Sequence, residues 1–207
     1  METVEPERYN RNMPTPKKPS LDFGGLLTAE FEYIAQTMVE AHEDRARVSS
    51  FYLVAVGSFV AALFGTQFFN NGELPPTLTM LLFLLFLLLT LLGTSTIIQL
   101  GRLRVAWNES AKAMNQIKDF AKKYYPELKD AFRWKTTSIP DKYKKGSISH
   151  IQAIEVSCLS GLMMGTSIYF LTVTFDLPLT FLPWLTAGIL GILCIIVELE
   201  VYKRSLE

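Results

Sequence analysis

Long apolar runs alternate with charged stretches along this chain, and both follow helical spacing. The clearest run, Leu78 to Leu100, is a nearly unbroken series of Leu and Phe from Met80 to Leu92 and carries no charge. Three other segments, 49–69, 151–175 and 179–197, are long and apolar enough to join it as spans. At 1.5 Å per residue, about twenty residues cross a hydrocarbon layer roughly 30 Å thick. A soluble chain of 207 residues has too little volume to enclose four such helices, which disfavours a water-soluble bundle.

The pattern outside the spans is amphipathic. Leu27, Phe31, Ile34, Met38, Ala41, Arg45 and Val48 recur at steps of four and three, with Glu30, Glu32, Glu40, Glu43 and Asp44 on the other faces. No helix breaker separates this stripe from the first span, so one continuous rod is expected. A second stripe follows the second span: Leu103, Trp107, Ser110, Met114, Ile117, Ala121 and Tyr124, stopped by Pro126. The two extensions leave the same membrane face. They are expected to pair as an antiparallel seam, with Phe31, Ile34 and Met38 against Trp107, Met114 and Ile117.

The fold class that follows is an all-α membrane protein with four transmembrane helices in two hairpins, the first extended by long cytoplasmic helices. Its divisions are a proline-containing tail at 1–22 and a long-helix hairpin at 23–125. A basic and aromatic connection at 126–149 and a second hairpin at 150–202 complete it. The tail is expected to be disordered or extended. Pro75, Pro76 and Pro178 mark the outer turns, and Phe181 and Trp184 open the fourth span at the membrane interface.

Charge adds direction. Twenty basic and twenty acidic residues cancel, so net charge points to no ligand, but the placement of the basic ones is one-sided. Six precede the first span, twelve lie between Arg102 and Lys145, and Lys203 and Arg204 follow the fourth. Neither outer connection holds a Lys or Arg. Basic residues are retained in the cytoplasm, so both termini are expected inside, in the cell (inner) membrane.

Chemistry is sparse. Two histidines, His42 and His150, and two cysteines in apolar runs, Cys158 and Cys194, make neither a metal site nor a disulfide framework; the cysteines read as small buried hydrophobes. No phosphate-binding glycine loop, HExxH or nucleophile elbow is present, so neither an enzyme nor a cofactor is expected. Acid within the spans is more informative. Glu155 and Glu198, with Thr90 and Thr94, are candidates for a pore, a pairing site or an intramembrane contact, since charge in lipid is costly. For Glu155, a place in the headgroup zone is the alternative, with His150 and Arg102 as possible partners. Small residues recur every fourth position: Gly57, Ala61 and Gly65; Ser157, Gly161 and Gly165; Ala187 and Gly191. Such ridges let helices approach closely in lipid. The second span has almost none and reads as the most lipid-exposed.

The 126–149 segment mixes Tyr125, Phe132, Trp134 and Tyr143 with lysines and arginine. A loop folded under the bundle is the first reading, anionic lipid the second, and nucleic acid is not expected.

Arg102-Leu-Arg-Val-Ala-Trp107-Asn-Glu-Ser110-Ala-Lys-Ala-Met114-Asn115-Gln-Ile117-Lys118, with Phe132-Arg-Trp134 and Ser138-Ile-Pro140 later, resembles stretches of small bacterial multi-pass membrane proteins. The layout of about the first 125 residues is similar to SLATT-type membrane domains, which implies an oligomeric pore. The second hairpin departs from a two-span pattern, and no site residue carries over. A homo-oligomeric channel or pore is therefore the leading expectation, with a non-conducting scaffold and a small transporter as alternatives.

Overall fold

The computed structural model describes residues 22–65, 74–175 and 181–207. Residues 1–21, the end of the expected first span at 66–69 and its connection through 73 lie outside them, as do 176–180 with Asp176 and Pro178. Helix α1 spans Phe23–Gly65, α2 Pro76–Tyr124, α3 Ile148–Thr174 and α4 Phe181–Arg204. Two single 3-10 turns, Pro126–Lys129 and Thr136–Ser138, fall between α2 and α3. All four helices are long and apolar enough to cross a membrane, and no strand occurs among the described residues.

Local chemistry accounts for the boundaries. At the start of α1 the Asp22 carboxylate accepts from the Gly25 N–H at 3.0 Å. From Leu26 to Val56 the helix has no Gly or Pro, so amphipathic and apolar halves form one rod of 43 residues. Helix α2 opens on Pro76, whose fixed φ suits a first turn, and stops before Pro126. Gly146 takes a φ of 73°, and Ser147 then caps α3 by accepting from the His150 N–H.

Helix α2 is the hub. It packs against α1, α3 and α4, whereas α1 barely reaches α3. This corrects the expectation that the second span is the most lipid-exposed. In its most apolar stretch 39 % is buried, against 17 % for α1. The reason is its polar and small face: Thr79, Thr90, Gly93, Thr96 and Gly101 are all buried and admit neighbours closely. The opposite face exposes Leu81, Leu84, Leu88 and Leu91. An apolar band of that kind, continued by Phe51 and Val54 and by Ile189, Ile192 and Ile196, suits lipid rather than water.

Hydroxyls stitch α2 to α3. Ser160 Oγ donates to the Thr90 carbonyl at 3.3 Å, Ser167 Oγ to the Phe83 carbonyl at 3.0 Å, and Thr174 Oγ1 to Thr79 Oγ1 at 2.9 Å. The step of seven residues along α3 keeps all three donors on one face. Helices α3 and α4 meet through glycine: a Cβ built on Gly161 would lie 2.7 Å from the Gly191 carbonyl oxygen, and the reverse contact is also 2.7 Å. Gly165 crosses Ala187 in the same way, and Ser157 is fully buried.

The ridge on α1 behaves differently. Gly57, Ala61 and Gly65 are exposed, and a Cβ on either glycine would meet nothing within 4 Å. Among the described residues this ridge stays open, because α1 turns the Tyr52–Val56 face to α2 instead.

Beyond the spans, α1 and α2 do run side by side, with Phe23 and Phe120 ring centroids 5.7 Å apart. Ile34 and Ala41 are buried there, and Met38, Trp107, Met114 and Ile117 are half-buried. Phe31 corrects the expected seam. It is 36 % exposed and meets α2 only at the edge, with Lys118 Nζ 6.0 Å from its ring centroid.

Candidate functional site

Glu198 is 1 % exposed and lies on the face of α4 that meets the other helices. Its Oε1 accepts from Ser160 Oγ of α3 at 2.6 Å and from Thr94 Oγ1 of α2 at 2.9 Å. The second carboxyl oxygen, Oε2, has no hydrogen-bond partner among the described residues. Ser157 of α3 and Cys194, one turn earlier on α4, are its further polar neighbours. Helix α1 contributes Tyr52, also 1 % exposed, whose hydroxyl is likewise without a hydrogen-bond partner.

Gly93 makes the junction possible. A Cβ there would stand 2.6 Å from Ser160 Oγ and 2.8 Å from the Tyr52 hydroxyl, so a side chain would displace both. Three helices, α1, α2 and α3, thus bring oxygen atoms to one carboxyl carried by the fourth. Away from the basic end, aromatic packing closes the interior. Phe59 meets Phe86 edge-on at 5.2 Å, and Phe86 stacks on Phe170 at 5.7 Å.

No Lys, Arg or His among the described residues pairs with Glu198. Among the described residues the ion pairs join near neighbours on one helix: Asp44 with Arg47, Asp119 with Lys122, and Glu200 with Arg204. An isolated carboxylate is costly away from water, so the group is stable here as a neutral acid or with a cation bound.

A second polar layer lies about two to three turns closer to the basic end, with Arg45 seven residues from Tyr52 and Arg104 ten from Thr94. Arg45 of α1 and Arg104 of α2 are each 6 % exposed, and neither meets a carboxylate among the described residues. Arg104 donates to the Asp141 and Lys142 carbonyls, both at 3.2 Å, and stacks on Trp107 at 4.8 Å. Asn108 donates to the Pro140 carbonyl at 3.0 Å. Arg45 donates to Ser149 Oγ of α3 at 2.5 Å and meets His42 Nδ1 at 2.8 Å. Tyr202 of α4 is buried beside both arginines. Part of the 126–149 connection is therefore bound beneath the bundle by its backbone carbonyls.

The candidates named from the sequence divide sharply. Glu198, Thr94 and Ser157 converge, and Thr90 is buried beside them through its carbonyl. Glu155 does not join. It is exposed on α3 and has no ion pair among the described residues, while His150 meets Tyr143 instead. It stands two residues before the buried Ser157, which puts it on the outer face of α3. Cys158 is exposed rather than buried, one position beyond Ser157, and Cys194 is half-buried. Sequence reasoning missed Tyr52 and Ser160 as members of the site. The signal was present, because Ala41, Arg45, Ser49, Tyr52 and Val56 continue the four-three stripe of α1. Ser160 and Ser167 keep a step of seven on α3.

No family model, curated protein or solved structure matches this chain.

Proposed function

We propose that the chain is an ion-handling protein of the cell (inner) membrane that works as a homo-oligomeric channel or pore, with both termini in the cytoplasm. The observation that carries this reading is Glu198: a buried carboxyl on α4 with, among the described residues, no cationic partner and an unpartnered oxygen, ringed by oxygen atoms from the other three helices. Such a group gives a small cation a polar resting place inside an apolar layer. The Phe59, Phe86 and Phe170 packing closes a single chain beyond it. Conduction therefore requires either a parting of those rings or a path between copies. The open Gly57, Ala61 and Gly65 ridge supports assembly, as does the similarity in layout to SLATT-type domains. The one-sided placement of basic residues supports the orientation.

Proteoliposome flux of wild type and Glu198→Gln is the test. Wild type should dissipate an imposed ion gradient faster than empty vesicles, and Glu198→Gln should lose most of that flux while still inserting. Wild-type flux equal to that of empty vesicles under all gradients refutes conduction. That result would favour the second reading, a non-conducting scaffold, which the long paired extensions of α1 and α2 support.

A further inference from the structure

Between α1 and α2 is a groove of about 290 Å³. Arg47, Ser95, Thr96 and Gln99 give it a polar end, and Tyr52 lies on its wall. Tyr52 also borders the Glu198 junction, since its hydroxyl and Ser160 Oγ crowd the same space above Gly93. One side chain thus separates a polar-ended groove from a buried acid, and its hydroxyl is buried with no hydrogen-bond partner among the described residues.

Proton counting around the acid is equally specific. Thr94 and Ser160 each carry one hydroxyl proton and have two acceptors in reach. Thr94 Oγ1 is 2.9 Å from Glu198 Oε1 and 3.2 Å from the Thr90 carbonyl. Ser160 Oγ is 2.6 Å from the former and 3.3 Å from the latter. With Glu198 ionised, both hydroxyls donate to the carboxylate. With Glu198 protonated, its O–H donates to Ser160 Oγ, and both hydroxyl protons turn to the Thr90 carbonyl. The same heavy-atom positions serve both states. The titratable groups facing Glu198 are Tyr52 from α1 and Cys194 from α4 itself; α2 and α3 present only hydroxyls and a carbonyl. Arg45 and Arg104 lie near Tyr202, about two to three turns further on along α1 and α2.

We propose that Glu198 is a proton-binding site that exchanges with water at the basic end through the α1–α2 groove, with Tyr52 as the partition. This rests on the reading of Glu198 as the ion-handling group, but it names the ligand and the route.

Dicyclohexylcarbodiimide, which adds to protonated carboxyls in apolar surroundings, tests it on the purified full chain in lipid nanodiscs, with peptide mass mapping. Glu198 should be modified, several-fold faster as pH falls, and sodium or potassium chloride at constant pH should not slow it. Ser95→Trp, at an exposed position in the groove, should slow modification several-fold without moving its pH midpoint. Tyr52→Ala should speed it. No modification of Glu198 in wild type or Tyr52→Ala at any pH overturns the proton site. Protection by sodium or potassium at constant pH overturns the proton in favour of a metal cation. An unchanged rate in Ser95→Trp overturns the route. The conduction reading fails separately: Glu198 modified as described, with no flux in proteoliposomes, leaves the proton site standing and removes the channel.

Discussion

Replacing Gly191 by alanine places a methyl group 2.7 Å from the carbonyl oxygen of Gly161, where no side chain can rotate away. That oxygen belongs to the backbone of α3, so the helices must part or tilt. Overpacking of this kind costs about 1–3 kcal/mol. The same substitution gains up to about 1 kcal/mol of helix propensity, which leaves a net loss of roughly 1–2 kcal/mol. Gly188, three residues earlier on the same helix, is an internal control. A methyl there meets nothing within 4 Å, so Gly188→Ala keeps the propensity gain, up to about 1 kcal/mol. The two variants should therefore differ by about 2 kcal/mol, roughly a thirtyfold difference in the folded-to-unfolded ratio. Gly165→Ala should fall between them, because its methyl would stand 3.0 Å from the Ala187 carbonyl oxygen.

Reversible unfolding in mixed micelles, titrated with denaturing detergent, measures the ordering directly. The expected order of stability is Gly188→Ala, Gly165→Ala, Gly191→Ala. Equal stability of the first and last would refute the close crossing of α3 and α4. The ridge on α1 would then be no less credible a contact than this one.

Ile34→Asp should cost several kcal/mol, through lost apolar burial of about 1.5–3 kcal/mol and a charge left without a partner, whereas Phe31→Asp should cost much less. Equal melting of the two variants would show that the seam is not where Ile34 places it. Lys122 and then Thr136, which donates to Asp119 Oδ2 at 2.8 Å, hold the Asp119 carboxyl below the usual carboxylate range. A depressed folded value means that its stabilising contribution is present above the unfolded pKa of about 3.9 and is lost as pH falls through the folded one. Amide protection of the 136–138 turn, taken relative to intrinsic exchange at the same pH, should fall in acid for that reason, and exchange should accelerate at neutral pH in Asp119→Asn. Identical neutral-pH exchange in that variant and wild type would show that the contact does not hold the turn.

Periodicity made the long helices legible because it reports a face, and a face needs no tertiary knowledge. The α1 stripe from Ala41 to Val56 passes from the charged half into the apolar half without a break in phase. Exposure within that stripe was not legible. Phe31 and Ile34 both follow the spacing, but α2 meets one side of α1, and a three-residue step turns the chain about 60° short of a full revolution. Glu155 and Glu198 show the same limit for acids. Each lies near the end of an apolar run. Only the crossing of α3 and α4 decides that one points outward and the other toward Thr94 and Ser160.

The two polar layers explain why the bundle has one register. Glu198 and Tyr202 are four residues apart, about 6 Å along α4. At the first level α1, α2 and α3 supply Tyr52, Thr94 and Ser160; at the second they supply Arg45, Arg104 and Ser149. Apolar helices in lipid can slide or rotate at little cost, since tails replace side chains almost equally well. A one-residue rotation of α4 would instead carry Glu198 away from both hydroxyls, at a cost set by an unsatisfied polar group in an apolar layer. The acid and the arginines stay separate because Arg45 and Arg104 lie seven and ten residues beyond Tyr52 and Thr94, about 10 and 15 Å along their helices, so neither neutralises the other. A direct Glu198–Arg104 pair would lock the core more firmly, and it would also occupy the carboxyl that the four helices leave open.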